Sequence, residues 1–172
     1  MKRLFLVLVG ALLLTVGCST KYDLGSSQGG RLESGQRVAV ITPADGAHDG
    51  QIYVGSGAIT AALLQSALLA RSNGVTVVSG AENLQAALQR AASDGCRYAF
   101  YPQLVNWEPR AAAWSGRPTR VDLIMSVYDL RQGRQIIKQQ NLEARGRIST
   151  LVSQTPGEIL KPLLEKYADQ VF

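Results

Sequence analysis

The chain is poor in the residues that build metal, redox and disulfide sites. Among its 172 residues are one histidine, His48, and two cysteines, Cys18 and Cys96. A structural zinc site takes four cysteine or histidine ligands, and a disulfide framework needs paired cysteines. We therefore expect no haem, no zinc or other metal, no cofactor, and a fold that depends on its hydrophobic core alone.

Catalytic groupings are scarce as well. A hydrolase needs a nucleophile, a base and an orienting group at one place, yet the only histidine lies in a glycine-flanked loop, residues 46–50. Gly55-Ser56-Gly57 precedes a predicted helix and could face a phosphate, but it lacks the Lys-Ser/Thr of a P-loop. We interpret it as a loop in which Ser56 caps the helix, and we expect no enzymatic activity and no catalytic residue.

The N-terminus has the pattern of a bacterial export signal. Lys2 and Arg3 precede an uncharged apolar run over residues 4–16, shorter than the roughly 20 apolar residues of a membrane-spanning helix. The run ends in Leu-Thr-Val-Gly-Cys-Ser, which resembles the lipobox of bacterial lipoproteins. The resemblance implies cleavage after Gly17 and N-acyl and S-diacylglycerol lipid on Cys18. Because Ser19 rather than Asp follows the cysteine, it also implies an outer-membrane anchor that faces the periplasm.

The alternatives to a lipid anchor are a secreted protein with a chance cysteine and an N-terminal anchor that is never cut. Residues 18–36 contain a Gly- and Ser-rich stretch that predicts a flexible tether. Residues 37–172 have the length of a single domain. The predicted organisation is therefore a signal peptide at 1–17, a lipidated tether at 18–36 and a periplasmic α/β domain at 37–172.

Three apolar, β-branched segments alternate with two helical ones in the first half of the domain. Predicted strands cover 37–43, 75–78 and 97–107, and the helices between them have apolar stripes. In the first helix the stripe is Ile59, Leu63, Ala67 and Ala70. Two helices between three strands predict right-handed crossovers and parallel neighbouring strands.

An antiparallel meander and a last helix follow. Residues 121–128 and 136–148 predict two strands around a turn at 130–135, and Leu142 and Ala144 alternate with polar neighbours. Thr155, Pro156 and Glu158 predict a helix start, a capping box with proline at the first position. The predicted fold is α/β (α+β) in the order β-α-β-α-β-β-β-α: a mixed sheet of three parallel strands and then an antiparallel meander, with helices packed on it.

This order, with Asp-Gly-Cys-Arg-Tyr at 94–98 and Tyr-Asp-Leu-Arg-Gln-Gly-Arg at 128–134, is similar to that of a group of envelope lipoproteins. The group includes the curli secretion-channel lipoprotein, the outer-membrane lipoprotein activators of penicillin-binding proteins and the N-terminal domain of the Tol-system propeller protein. The resemblance covers residues 37–172 and implies an activity exercised through protein contact. A curli-type pore is not expected, since residues 107–120 are too few for membrane-crossing strands of about 9 to 11 residues each.

Positive charge is concentrated in the second half of the domain. Residues 110–147 carry eight Lys or Arg against three acids, and both tryptophans lie in or near this segment. Tryptophan and arginine are frequent anchors of protein interfaces, and an anionic envelope polymer would also suit the charge. The alternative is an ordinary solvated strand face. The predicted docking surface consists of Trp107, Arg110, Trp114, Arg117, Arg120, Arg131 and Arg134.

The function that we expect is that of a non-enzymatic accessory module at the outer membrane. Its partner would be an envelope protein or an anionic envelope polymer, nucleic acid is excluded by the compartment, and homo-oligomerisation stays open. The rival hypothesis is an envelope enzyme or small-ligand binder that uses the loop 42–57, where open α/β sheets place their pockets. A deep pocket lined by Asp45, His48 and Asp49 would favour the rival, whereas a flat face around Trp114 and the arginines would count against it.

Overall fold

The computed structural model describes residues 20–26, 30–110, 116–147 and 154–172. The predicted signal peptide, the predicted lipidation site Cys18 and the predicted docking residue Trp114 lie outside these ranges.

The described residues form a six-stranded sheet, a two-stranded hairpin and three helices. The strands are β1 (Lys21–Asp23), β2 (Val38–Ile41), β3 (Ala47–His48), β4 (Gln51–Ile52), β5 (Val75–Val78), β6 (Tyr98–Glu108), β7 (Arg120–Asp129) and β8 (Gln135–Arg145). The helices are α1 (Ser56–Leu69), α2 (Leu84–Ser93) and α3 (Pro156–Val171). The sheet has the order β1-β8-β7-β6-β2-β5, and β3 and β4 form the hairpin.

The sheet has a parallel and an antiparallel half. β2 pairs in parallel with both β5 and β6, as two crossovers through α1 and α2 require. From β6 the order continues through β7, β8 and β1 with antiparallel pairing throughout. The predicted fold class, three parallel strands followed by a meander, is confirmed. The short strands β1, β3 and β4 are additions to the predicted order.

Two hydrophobic clusters lie on opposite sides of the sheet. Alternate residues of β2 divide between them: Val38 and Val40 join α1 and α3, whereas Ala39 and Ile41 join α2. We call these sides the two-helix face and the one-helix face. The predicted apolar stripe of α3 is fully buried on the two-helix face, and its predicted capping box is present.

The buried side of α1 is not the one that the sequence pattern predicts. Within the predicted stripe Ala67 is buried, but Ile59 is 47% exposed and Ala70 lies on the surface. Thr60 and Leu68 are fully buried instead. Because apolar residues occur on nearly every side of this helix, periodicity cannot select its buried face. The choice is made by the sheet and by α3, against which α1 packs.

Several residues of the segment predicted as a flexible tether take part in the domain. Lys21 of β1 pairs with Arg145 of β8, and Tyr22 packs against the larger cluster. Leu32 is buried, and its N–H donates to the carbonyl of Val171 at 2.8 Å. A high content of glycine and serine predicts flexibility, but it does not reveal these contacts with residues distant in sequence. The ordered domain therefore begins earlier than the predicted boundary at residue 37.

One part of the one-helix face carries no helix among the described residues. α2 packs on β2 and β5, so it leaves uncovered the outward side chains of β1, of the first half of β7 and of the second half of β8. We call this region the open face. It consists of Lys21, Asp23, Arg120, Asp122, Ile124, Asn141, Glu143 and Arg145.

Two adjacent leucines of α1 test this packing. Leu68 is fully buried, whereas Leu69 is 53% exposed. We expect Leu68→Ala to lower the free energy of unfolding by about 2 to 5 kcal/mol, since it leaves a cavity. Leu69→Ala should lower it by less than about 1 kcal/mol. Urea unfolding followed by circular dichroism measures both values, and a larger loss at Leu69 would mean that the other side of α1 faces the sheet.

Candidate interaction surface

Two neighbouring rows of side chains on the open face have opposite charge. Each row runs across β7, β8 and β1, with its members directly opposite one another. Like charges in such positions repel, so each row requires the other to offset it. Listed from β7 to β1, the rows are Arg120, Arg145 and Lys21, and then Asp122, Glu143 and Asp23.

Ion pairs between the two rows offset this repulsion. The Nε of Arg120 lies 2.9 Å from a carboxylate oxygen of Asp122 and 3.5 Å from one of Glu143. The Nε of Arg145 also donates to Glu143, and this hydrogen bond raises the pKa of Arg145 above its ordinary value. Half-exposed pairs of this kind contribute at most about 1 kcal/mol each to stability. Their main effect is to hold charged groups in fixed positions at the surface.

A shallow groove of about 570 Å³ lies over these rows. Its lining includes Val105, which is 60% exposed, and Ile124. Val105 has no partner in β7 because the register shifts there, at a β-bulge between Leu104 and Asn106. A bulge changes the direction in which the side chain of its extra residue points. Here it places an apolar side chain beside fixed charges of both signs. An apolar contact bordered by polar groups is the usual make-up of a protein-binding surface.

Trp107, one of the predicted docking residues, belongs to the core and not to a surface. It is 5% exposed, packs in the larger cluster and lies opposite Val121. Strict alternation from Tyr98 and Phe100, which point into this cluster, would direct residue 107 to the other face. The bulge at Val105 adds one residue and reverses that phase. The prediction that Trp107 belongs to a docking surface is therefore wrong.

The arginines of the predicted docking surface lie at two opposite ends of the sheet. Arg110, Arg117 and Arg120 lie where β7 begins, whereas Arg131 and Arg134 lie in the turn after β7. Because β7 has 10 residues, roughly 33 Å separates the two groups. The predicted set is thus not one continuous patch, and only Arg120 belongs to the open face.

The turn that carries Arg131 and Arg134 is organised by a buried carboxylate. Asp129 is 3% exposed, and one of its oxygens lies 2.9 Å from a guanidinium nitrogen of Arg97. Its other oxygen accepts the backbone N–H of Arg131 at 2.9 Å. The Arg134 guanidinium donates to Gln89 of α2. These contacts fasten the turn to the domain and give this end of the sheet a structural role.

The loop 42–57 contains a structural carboxylate at the start of α1. Asp45 accepts the backbone N–H of Gly57 at 2.8 Å and that of Gly55 at 3.1 Å. These hydrogen bonds, that of Gly57 above all, hold the pKa of Asp45 below its ordinary value. The prediction that Ser56 caps α1 is wrong, because the Ser56 hydroxyl accepts the N–H of Gly46 at 2.8 Å instead. Asp45 reaches the helix from an earlier part of the loop, which local sequence cannot show.

His48 lies beside a small cavity of about 170 Å³. Its Nδ1 lies 2.9 Å from the Asn106 side-chain oxygen, and its Nε2 lies 3.4 Å from Asp49 and 3.7 Å from Glu108. Asp45 does not line this cavity, so the three residues of the rival pocket do not converge. Pockets for small ligands usually enclose about 300 to 1,000 Å³. The pocket on which the rival hypothesis depends is therefore not formed by these three residues.

The residues that the structure describes contain no group of three or more acidic, histidine or cysteine side chains placed to hold a metal ion. Within the same ranges no helix combines the length and the hydropathy needed to cross a membrane. Cys96 is buried, and burial raises the pKa of its thiol, which disfavours the reactive thiolate.

Sequence reasoning missed the acidic row and Arg145, although a signal for them exists. Residues 120–122 read Arg-x-Asp and residues 143–145 read Glu-x-Arg. Alternate residues of a strand share a face, so each triplet predicts opposite charges side by side. The turn at 130–135 then brings the triplets opposite each other. A count of arginines alone does not reveal this pairing.

The fold and this surface define a class: a mixed α+β domain with a polar open sheet face. The fold is similar to that of PelC from Paraburkholderia phytofirmans, solved as a dodecamer, with a TM-score of 0.65, 15% identity and coverage of 89% of this chain and 99% of that chain. It is also similar to protein XCC0632 from Xanthomonas campestris, with a TM-score of 0.52, 10% identity and coverage of 84% and 86%. Lipoprotein GNA1162 from Neisseria meningitidis has a TM-score of 0.44, 17% identity and coverage of 79% and 97%.

A family model described as "Domain of unknown function (DUF4823)" matches residues 30–171. The chain belongs to this family. No curated protein matches it in sequence. The likenesses to PelC and to XCC0632, both below 25% identity, concern the fold alone.

Asp45 and Asp49 are both exposed, but of the two it is the Asp45 carboxylate that accepts N–H groups at the start of α1. Asp45→Asn weakens the acceptor at the start of α1, so we expect the Tm at pH 7 to fall by roughly 2 to 4 °C. Asp49→Asn is the matched control and should change the Tm by less than about 1 °C. Thermal unfolding followed by circular dichroism measures both.

The effect of Asp45→Asn should depend on pH. Because the pKa of Asp45 is lowered in the folded state, the stability that it contributes is present above the unfolded pKa of about 3.9. It is lost as the pH falls through the lower folded pKa. The Tm difference between the wild type and Asp45→Asn should therefore close below about pH 4. A difference that is unchanged at about pH 2.5 would contradict this role.

Proposed function

We propose that this chain is a non-enzymatic accessory module of the cell envelope, anchored in the outer membrane by lipid on Cys18, and that it acts through protein contact at the open face. The observation that carries the proposal is the open face itself. Its charges are held in place by ion pairs beside an exposed apolar bulge residue. Such a surface gains contact area from its apolar part and rejects unsuitable partners through its charges.

A second copy of this chain is the partner that we propose first. The basic and acidic rows lie side by side, so a copy related by a two-fold axis can place its acidic row against the basic row. Support for assembly of copies comes from PelC, which shares the fold over 89% of this chain and was solved as a dodecamer. A different envelope protein is the other candidate occupant.

Photo-crosslinking in the native envelope tests the docking role of the open face. A photoreactive residue replaces Asn141, which is exposed on the open face, and in the control it replaces Gln85, which is exposed on α2. We expect an adduct of twice the mass of the chain from position 141 and not from position 85. The readout is the mass of the adduct on a denaturing gel and its identity by mass spectrometry.

The other outcomes separate the parts of the proposal. A discrete adduct of another mass from position 141 alone would keep the docking role and replace the second copy by an envelope protein. No adduct at position 141, or equal adducts at both positions, would contradict the docking role of the open face.

A further inference from the structure

The first described residue, Thr20, is fixed at one end of the sheet. Its hydroxyl donates to the side-chain oxygen of Gln154 at 3.2 Å, and the same oxygen accepts the N–H of Arg147 at 2.8 Å. We call this end, where β7 begins and β8 ends, the Thr20 end. Cys18 lies two residues before Thr20, a reach of at most about 7 Å. A lipid on Cys18 would therefore hold the Thr20 end within about one Debye length, 8 to 10 Å, of the headgroups.

Six cations lie at the Thr20 end, in the basic row or beyond it. The acidic row is set back by two residues along the strands, or about 7 Å. The segments that leave the described ranges at this end, 111–115 and 148–153, contain no charged residue and do not alter the balance. The six cations are Lys21, Arg110, Arg117, Arg120, Arg145 and Arg147.

The carboxylates nearest to this end are engaged by groups of the fold. Asp45 accepts the backbone N–H groups of Gly55 and Gly57 at the start of α1. Glu158 accepts that of Thr155 at the start of α3, and the helix dipole is positive at both places. Asp49 and Glu108 lie 3.4 Å and 3.7 Å from the Nε2 of His48. The six cations outnumber these four carboxylates, and the acidic row lies farther from the end of the sheet.

We infer that the Thr20 end binds the anionic phospholipid headgroups of the membrane that holds the anchor. The inference rests on the proposed function, because it needs the lipid on Cys18. The short link makes headgroup contact an intramolecular event with a high effective concentration, and each Lys or Arg near an anionic surface adds to the attraction. The strands are then perpendicular to the membrane surface. The open face is directed parallel to that surface, toward a second copy anchored at the same distance from it.

Vesicle binding by the chain without its lipid tests the headgroup contact alone. Residues 18–172 with Cys18→Ser contain every described strand and helix. We expect this protein to sediment with vesicles of phosphatidylcholine that contain about one third phosphatidylglycerol, and not with phosphatidylcholine alone. The binding should weaken as the salt concentration rises from about 50 to about 300 mM. Equal binding to the two kinds of vesicle would overturn the inference.

Charge reversals at the two ends of the sheet test where the contact lies. Lys21→Glu with Arg147→Glu should weaken binding at least about tenfold. Arg31→Glu with Arg131→Glu makes the same change of net charge at the opposite end and should weaken it less than about twofold. Equal weakening by the two pairs would overturn the inference. If circular dichroism shows the first pair unfolded, Lys21→Gln with Arg147→Gln replaces it, with an expected loss of about threefold or more.

Lipid labelling in cells tests the anchor separately. The full chain should take up labelled acyl groups, and its Cys18→Ser variant should not. Absence of label would overturn both the proposed anchor and the membrane contact that depends on it. If the full chain is labelled but the protein without lipid binds equally to both kinds of vesicle, only the headgroup contact is overturned.

Discussion

The burial of both long helices on one face of the sheet is the constraint on which the rest of the structure depends. α1 and α3 pack against each other and fill the larger cluster, in which Phe100, Leu164 and Tyr167 are fully buried. Among the residues that the structure describes, α2, with 10 residues, is the one helix on the other face. It covers the parallel strands and the neighbouring ends of β6 and β7. The open face is a direct consequence of this distribution.

An uncovered sheet face has to satisfy its own polar groups. Antiparallel sheets tolerate water on one side when inward apolar and outward polar residues alternate, and β8 shows this alternation. On the open face many of the outward residues are charged as well as polar. Their charges form two rows joined by ion pairs. A bulge adds Val105 to the same surface. Charged and apolar side chains thus lie side by side on this half of the sheet.

The direction of the strands relates the proposed lipid anchor, the Thr20 end and the open face to one another. β1 begins at Lys21, opposite the last residue of β8, so the chain enters the domain beside the cations of the Thr20 end. Outward side chains stand perpendicular to the strands, and the open face is therefore turned by a right angle from that end. One edge strand of three residues thus fixes how a lipid on Cys18 would orient the whole domain.

The sequence by itself determined the elements whose signals are local. The capping box of Thr155 and Glu158, the alternation along β8 and the order of strands and helices depend on residues within a few positions of each other. The charged triplets at 120–122 and 143–145 are local signals too. The tertiary structure alone decided which side of α1 is buried, that Trp107 points inward, that Asp45 caps α1 and that Lys21–Asp23 joins the sheet. Each of these depends on groups distant in sequence, whose interaction energy exists only once the chain has packed.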